Sequence, residues 1–330
     1  MPKRLRLKAG SRAPGLALLL TLLLVISGCA PSPAVGERSR PQPSQPAPSA
    51  SAPSPAPTIP LDTGRLVSDG TLGPRTSGTF TVVPILLYHY IRVNPNPKDK
   101  LGFGLSVTPG DFHLQMLYLA SHGFHVVSLQ LAVRAINEHR ALPPRPVVLT
   151  FDDGYRDFYT SAAPELVRYG FTATNFVVTG FVGWSRYMTW AQIQALDRAG
   201  FTMADHTVDH LALADLPAAS ALWEMRQARQ TLEAQLDHAV LDLAYPYGSF
   251  NPSVAAQARQ LGFECAVSTL PGIAHQAQEL MELARLRVEG GDSLSYFADL
   301  VGGPAPSAEW VKWARAGGDV IVSRRVGRFE

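Results

Sequence analysis

The sequence predicts an α/β fold in which strand–helix units repeat around a mostly parallel sheet or barrel. Two observations predict this class. From about Val82 onward, short apolar runs alternate with longer amphipathic segments, which is the pattern of β-α units. A glycine also closes four of the amphipathic segments just before an apolar run, where a left-handed helix C-cap is favoured. These glycines are Gly123, Gly170, Gly200 and Gly262.

The element boundaries follow from the apolar runs and the amphipathic segments between them. We predict strands at Ile85–Tyr90, His125–Val127, Val147–Phe151, Ala173–Val178, Thr202–Asp205, Leu241–Tyr245 and Glu264–Ser268. We predict helices at Pro109–Ser121, Leu129–His139, Ser161–Tyr169, Trp190–Ala199, Ala218–Leu236 and Pro252–Leu261. Strands and helices alternate along the chain, so parallel pairing is favoured.

Residues 1–29 have the organisation of an export signal. Several basic residues precede Leu16–Ile26, an apolar run of eleven residues that is shorter than the roughly 20 needed to span a bilayer. The run ends in Ile26-Ser27-Gly28-Cys29, which resembles a bacterial lipoprotein lipobox. That resemblance implies lipidation of Cys29, and the alternative is an ordinary signal peptide with a chance cysteine. We expect an exported protein anchored by lipid to the outer side of the cytoplasmic membrane or to the outer membrane.

Residues 30–81 are predicted to form a tether and a lead-in to the folded part. The stretch from Ala30 to Pro60 contains ten prolines and almost no large apolar side chains, so it has no material for a core. Extended as polyproline II, it would reach on the order of 90 Å. We place the catalytic domain at residues 82–300 and assign no role to the tail at residues 301–330.

Charge and cysteine content exclude some classes of function. The formal net charge is only +2 for 330 residues, and no basic patch interleaved with aromatics appears beyond the signal, so nucleic-acid binding has no support. Cys265 lies in an apolar stretch, where we expect a small buried hydrophobe and no disulfide. We expect a monomer.

Polar residues that carry chemistry follow several of the predicted strands. Asp152 and Asp153 come directly after Val147–Phe151, and His206 follows Thr202–Asp205 with His210 four residues later. One helical turn would place the two imidazoles on a common face. One carboxylate and two histidines suit a divalent metal, with an open position for water and Asp152 left over as a general base. Singly, a His-x-x-x-His is more often an accident of a helix face, and an Asp-Asp-Gly is more often a turn.

Three motifs carry a resemblance to a known family. Thr150-Phe-Asp-Asp-Gly154, His206-Thr-x-x-His210 and Tyr245-Pro-Tyr-Gly248, in this order, resemble the polysaccharide deacetylases, that is, the NodB-homology domain of carbohydrate esterase family 4. The resemblance implies a distorted (β/α) barrel of about seven strands and removal of acetyl groups from N-acetylglucosamine polymers. It implies that Asp152 is the general base, and that Asp153, His206 and His210 hold one divalent ion, for which we expect zinc. It also implies that the Tyr247 backbone N–H stabilises the oxyanion.

The sequence departs from the family pattern in two places. An arginine usually precedes the Pro-Tyr motif and orients the base, whereas Ala244 and Tyr245 stand here, so Arg285 is the candidate replacement, with an exposed surface arginine as the alternative. The late Leu-x-Leu-His motif that supplies the catalytic acid is also absent. Leu86-Leu-Tyr-His-Tyr-Ile91 resembles the first strand of bacterial exopolysaccharide deacetylases, in which an N-terminal histidine, here His89, takes that role. The alternative is a satisfied core histidine.

Three functions remain open from the sequence. The leading one is a metal-dependent N-deacetylase acting on a cell-envelope or extracellular glycan. The others are an O-acetyl esterase on a xylan-like polymer, because the same site can attack an ester, and a catalytically silent glycan-binding lipoprotein. The sequence fixes neither the glycan nor the native metal. Trp184, Tyr187 and Trp190 follow a strand end, where sugar stacking and core packing are both open.

Overall fold

A computed structural model describes residues 71–320 of the chain. The predicted export signal with Cys29, most of the predicted tether and the last ten residues lie outside this part. Within residues 71–320, every helix is too short or too polar to cross a membrane.

The described residues form short strands and longer helices. The strands are β1 (Thr81–Val82), β2 (Ile85–Tyr88), β3 (Tyr90–Ile91), β4 (Ser106–Val107), β5 (His125–Val126), β6 (Pro146–Phe151), β7 (Thr174–Val177), β8 (Thr202–Asp205), β9 (Asp242–Ala244), β10 (Cys265–Val267), β11 (Ala274–His275) and β12 (Leu286–Arg287). The α-helices are α1 (Lys100–Gly104), α2 (Pro109–Ser121), α3 (Leu129–Glu138), α4 (Ala163–Tyr169), α5 (Trp190–Arg198), α6 (Ala218–Leu236), α7 (Pro252–Leu261), α8 (Leu294–Leu300) and α9 (Ala308–Arg315).

The main sheet is parallel throughout and follows the order β10-β9-β8-β7-β6-β2-β12, with β5 paired to the start of β6. The seven strands of this order curl into a half-barrel with helices around it, which confirms the predicted α/β barrel class. Because all of these strands run in one direction, their carboxyl ends meet at a single edge.

Strand β6 shows how the sheet divides the interior into two apolar cores. Val147, Leu149 and Phe151 pack in the larger core, whereas Val148 packs in a smaller core on the other face of the strand, which also includes residues of α3. Side chains alternate between the two faces of a strand. The side chain of Thr150 accordingly points into the barrel together with Val148, and its hydroxyl donates to the Leu86 carbonyl at 2.6 Å.

Each predicted helix forms within two residues of its predicted bounds; the largest difference is in α4, which begins at Ala163 and not at Ser161. Helices α1, α8 and α9 were not predicted from the sequence. The side chains of Thr108, Ser128 and Asn251 accept hydrogen bonds from backbone amides in the first turns of α2, α3 and α7. At the other ends, Gly170 and Gly262 have φ of 70° and 88° and serve as left-handed C-caps.

The first strand of the main sheet is shorter than predicted. β2 ends at Tyr88, and Tyr90 and Ile91 leave the main sheet to pair with β4. His89 therefore lies at the point where the chain leaves the barrel, just past the carboxyl end of β2.

Both ends of the described region pack against the barrel. The Gly73 amide donates to the Ala141 carbonyl at 2.8 Å, so residues before β1 contact the end of α3. Residues after 300 pack on α2, where the Tyr118 hydroxyl donates to the Pro304 carbonyl at 2.6 Å and the Trp310 ring meets the Tyr118 ring edge-on.

Candidate active site

Asp152 and Asp153 form the turn that follows β6. Asp152 is 4 % exposed and Asp153 is 8 % exposed, so both carboxylates are removed from bulk water. Asp153 and Gly154 have φ of 76° and 74°. Two successive left-handed residues make a tight turn that suits Asp and Gly better than other residue types. The turn aims the two neighbouring carboxylates at different partners.

His206 and His210 bring their Nε2 atoms to Asp153. Asp153 Oδ1 lies 3.3 Å from His206 Nε2 and 3.2 Å from His210 Nε2. The predicted proximity of the two imidazoles is correct, but the helical reason for it is wrong. β8 ends at Asp205 and the histidines lie on an irregular loop, in which Thr207 and His210 have φ of 67° and 54°.

Two buried carboxylates hold this histidine loop, residues 206–210, in place. Asp205 Oδ1 accepts from the Thr207 amide at 2.7 Å. Glu224, on the second turn of α6, accepts from the amides of Val208 at 3.0 Å and Asp209 at 2.9 Å through one oxygen, Oε2. The sequence analysis missed Glu224, because nothing in the spacing of α6 indicates that its carboxylate reaches a loop that precedes the helix. Asp205 does not face solvent: it is fully buried, and burial raises its pKa to about 8.

A further hydrogen bond sets the tautomer of His206. Its Nδ1 donates to the Ala244 carbonyl at 2.7 Å, which leaves Nε2 free as a lone-pair donor on the side of Asp153. A metal-ligating histidine usually has such a partner on its other ring nitrogen.

The group formed by Asp153, His206 and His210 fits a divalent metal ion. Their ligand atoms all lie within 4.8 Å of one another. Asp153 Oδ1 is buried, yet it has no hydrogen-bond partner within residues 71–320, as expected of an oxygen reserved for a ligand. Burial opposes ionisation of Asp153, but the two imidazoles outweigh it and hold its pKa well below the usual range. An ionised oxygen and two imidazole nitrogens suit zinc and several other divalent ions.

Asp152 is held by Arg285. The guanidinium makes two parallel hydrogen bonds to the carboxylate, Nη1 to Oδ1 at 2.7 Å and Nη2 to Oδ2 at 2.8 Å. Arg285 is 1 % exposed and also donates to the Ser268 carbonyl and the Thr150 hydroxyl. The alternative of an exposed surface arginine is therefore wrong. Burial raises the pKa of the Asp152 carboxyl, but Arg285 outweighs burial and lowers it, so Asp152 is ionised and able to accept a proton.

His89 lies close enough to the two carboxylates for their charges to act on it. Burial lowers its pKa, while Asp153 and Asp152 act in the opposite direction. Its Nδ1 is buried and has no hydrogen-bond partner among the described residues, so the alternative of a satisfied core histidine does not fit.

Tyr247 borders the metal ligands from the β9 side. Its φ is 59°, a conformation that is uncommon for a non-glycine residue and is concentrated at functional sites. The ring is 69 % exposed and meets the His210 ring at 4.6 Å between centroids. The Tyr247 ring therefore lies against His210 and forms part of the exposed rim of the site.

The fold and the site together are typical of an α/β-barrel hydrolase, with a buried Asp152–Arg285 pair beside an Asp-His-His group. Comparison with known proteins narrows this class. The family model for polysaccharide deacetylases matches residues 139–266. One relative is YxkH of Bacillus subtilis (strain 168), whose name describes a polysaccharide deacetylase. It is 30 % identical over 215 residues, which cover 65 % of this chain and 74 % of the relative.

The chain belongs to the polysaccharide deacetylase family. Among solved structures, the Streptococcus pyogenes deacetylase PplD in complex with acetate has a TM-score of 0.63 and 30 % identity, covering 68 % of this chain and 99 % of that one. A poly-beta-1,6-N-acetyl-D-glucosamine N-deacetylase of Staphylococcus epidermidis is 25 % identical, covering 50 % of this chain and 65 % of the relative. The protein is therefore a deacetylase by family.

Proposed function

We propose that the protein removes N-acetyl groups from an N-acetylglucosamine-containing polysaccharide of the cell envelope or its surroundings. The observation that carries the proposal is the position of the Asp152–Arg285 pair directly beside Asp153, His206 and His210 at the carboxyl edge of the sheet. The name of the Staphylococcus epidermidis relative supports an N-acetylglucosamine polymer as substrate.

The side chains divide the work of amide hydrolysis between them. Asp153, His206 and His210 would hold a divalent ion, for which we propose zinc, and that ion would supply Lewis acidity and lower the pKa of a nearby water molecule. Asp152 accepts the proton of the attacking water, and Arg285 keeps Asp152 ionised and fixes both of its oxygens. The Tyr247 backbone N–H is the proposed donor to the oxyanion that develops on the substrate carbonyl.

The leaving nitrogen needs a proton, because expulsion of an amide anion is too costly. We assign this step to His89, whose ring lies within the electrostatic reach of Asp152 and Asp153 and has no structural hydrogen bond at Nδ1. General-acid assistance of this kind is typically worth 10²- to 10⁴-fold in rate, on the order of 3 to 5 kcal/mol.

Acetate release tests the reaction. The purified domain should release acetate from an N-acetylglucosamine oligomer, and a chelator should abolish the release. An O-acetylated xylan oligomer run in parallel separates amide from ester hydrolysis. Acetate release from the ester alone would show that the protein is an O-acetyl esterase and not an N-deacetylase. Release from neither substrate would favour a catalytically silent glycan-binding protein.

We propose further that the deacetylase acts as a monomer tethered outside the cytoplasm through an acylated Cys29. The apolar run of eleven residues before the lipobox-like sequence and the proline-rich stretch after it support this proposal. Cell fractionation should find the protein with membranes. If Cys29→Ser left it equally membrane-bound and cleaved at the same site, lipidation would be wrong.

A further inference from the structure

The loop between β7 and α5, residues 179–188, is fastened to both turns that carry the metal ligands. We call it the rim loop. At its start, the Gly180 amide donates to the Val208 carbonyl of the histidine loop at 3.0 Å. At its end, the Met188 amide donates to the Gly154 carbonyl, next to Asp153, at 3.0 Å. The rim loop therefore has a fixed position relative to the reacting groups.

Close packing reinforces this attachment at Gly180. A Cβ atom on Gly180 would lie 2.6 Å from the Val208 carbonyl oxygen and 3.2 Å from Asp209 Oδ1. Real Cβ atoms essentially never approach a backbone oxygen to 2.6 Å, so only glycine allows the rim loop to lie this close to the histidine loop.

The rim loop presents an exposed tryptophan on a preformed aromatic stack. Trp184 is 57 % exposed, and its ring stacks on Phe181 at 4.7 Å with 26° between the planes. Tyr187 meets the Trp184 ring edge-on at 6.2 Å and the Phe181 ring at 5.1 Å. One face of the indole is covered by Phe181, which holds the ring in position, so solvent reaches the indole from its other side.

This stack continues to the catalytic turn through a single tyrosine. The Tyr187 ring lies 5.1 Å from the Tyr155 ring, and the two residues also form an isolated β-bridge. Tyr155 follows Gly154 directly, so it belongs to the turn that positions Asp153. Trp184 is thus joined to the reacting centre by neighbouring aromatic rings and by backbone hydrogen bonds.

We propose that Trp184 is a binding platform for a sugar ring of the glycan chain, adjacent to the unit that is deacetylated. This inference rests on the proposed function. A β-linked N-acetylglucosamine ring has its ring substituents equatorial, so its faces are flat arrays of C–H groups that pack on an indole face. The three stacked side chains, Phe181, Trp184 and Tyr187, are all aromatic and carry no formal charge, which suits an uncharged polymer. A preordered aromatic binds with little loss of conformational entropy.

The test compares Trp184→Ala with Trp184→Phe and with a matched control, Trp313→Ala. Trp313 is 40 % exposed but lies on α9, which packs on α2 away from the rim loop. On an N-acetylglucosamine pentamer, Trp184→Ala should raise KM by about 3- to 10-fold, the range expected for loss of one aromatic stacking partner. Trp184→Phe should recover most of this loss, and Trp313→Ala should match the wild type. The KM ratio of Trp184→Ala to wild type should be larger for the pentamer than for a small aryl acetate.

A binding measurement separates this inference from the reaction on which it rests. Pentamer affinity is measured by calorimetry in Asp152→Asn, in which turnover is expected to be about 10²- to 10⁴-fold slower, with and without Trp184→Ala. Weaker pentamer binding on loss of Trp184 would support the binding platform. If the wild type released no acetate, that result would overturn the proposed function but not the binding platform. Equal KM and equal affinity for Trp184→Ala and Trp313→Ala would overturn the platform. A change of oligomeric state in Trp184→Ala, with unchanged glycan binding, would assign the tryptophan to self-association instead.

Discussion

Asp152 and Asp153 are neighbours in sequence and are both buried, yet their surroundings are opposite. Both oxygens of Asp152 are satisfied by the guanidinium of Arg285, whereas Oδ1 of Asp153 faces two imidazole nitrogens and has no hydrogen-bond partner among the described residues. A carboxylate whose two oxygens both accept hydrogen bonds from a guanidinium is fixed in orientation and stays ionised. A carboxylate with a free oxygen can take a metal. The difference gives the two halves of one Asp-Asp dipeptide the separate properties required by the base and the metal ligand that we propose.

The largest expected effect comes from removing one charge at a time from this pair. Asp153→Asn should lose both the metal and the activity, because the anionic ligand is gone. Asp152→Asn should keep the metal and lose about 10²- to 10⁴-fold in turnover, as expected for loss of a general base. Metal content by elemental analysis and acetate release are measured on both. Loss of the metal from both variants would contradict the division of roles.

His89→Ala sharpens the comparison by removing the proposed proton donor while leaving both carboxylates intact. Turnover on the amide substrate should fall about 10²- to 10⁴-fold with unchanged metal content. The loss should be smaller on an activated aryl ester, whose leaving group needs no proton. An equal loss on amide and ester would show that His89 does not act on the leaving group.

Arg285→Leu tests how strongly Asp152 depends on its partner. The substitution leaves a buried carboxylate without a counterion, so the free energy of unfolding should fall by about 3–5 kcal/mol. Arg287→Leu, at an exposed position two residues further along the chain, is the control and should change stability far less. Denaturant unfolding measures both variants. In Asp152→Asn, the cost of Arg285→Leu should shrink, because no buried charge is left unpaired.

Asp242, another buried carboxylate, shows what happens when no arginine is paired with the acid. Asp242 accepts from the Gln130 amide and the Cys265 thiol, both neutral, and burial raises its pKa to about 6 from an ordinary 3.8. The folded state thus binds the proton more tightly than the unfolded state, so stability is lost as pH rises from about 4 to above 6. Relative to wild type, the free energy of unfolding of Asp242→Asn should rise by about 2 kcal/mol between pH 4 and pH 7.5, as measured by urea unfolding. A pH-independent difference would show that Asp242 ionises normally.

The smallest effect is expected at the support of the histidine loop. Glu224→Ala removes the acceptor of the Val208 and Asp209 amides, so the affinity for zinc alone should fall about 10- to 100-fold, as for other partners that orient ligands. Glu224→Gln keeps an acceptor oxygen and should retain most of the affinity. Calorimetry measures the zinc affinity of both variants. Similar affinity in the alanine and glutamine variants would mean that the histidine loop keeps its conformation without Glu224.

Much of the architecture could be predicted because it depends on local patterns. The bounds of α2, α6 and α7 agree with the sequence prediction to the residue, since caps and apolar periodicity mark them. Strand ends were predicted less well, because pairing partners decide where a strand stops. β2 ends early for this reason, when Tyr90 and Ile91 pair with β4.

The site could be predicted only as a set of residue types at strand ends. The spacing of His206 and His210 led to the correct pair through an incorrect helix, because a loop held by Glu224 can also bring residues four apart together. The contact between Asp152 and Arg285 joins residues that are 133 positions apart, and no local pattern contains such a contact. Arg285 was predicted as the partner of Asp152 only through the family resemblance, and an exposed surface arginine stayed open as the alternative.

The close approach of Gly180 to Val208 divides the rim loop into a part that tolerates sequence change and a part that does not. Any side chain at Gly180 would displace the histidine loop. A substitution at that position would therefore lower activity, whatever its effect on substrate choice. Beside Trp184, Gly183 has φ of 86° and is constrained by its own backbone, whereas residues 184–186, the tip of the rim loop, are exposed and lack such a close contact. Substrate preference can therefore diversify by exchange of the tip alone, and a designer could graft new tips onto this barrel without rebuilding its centre.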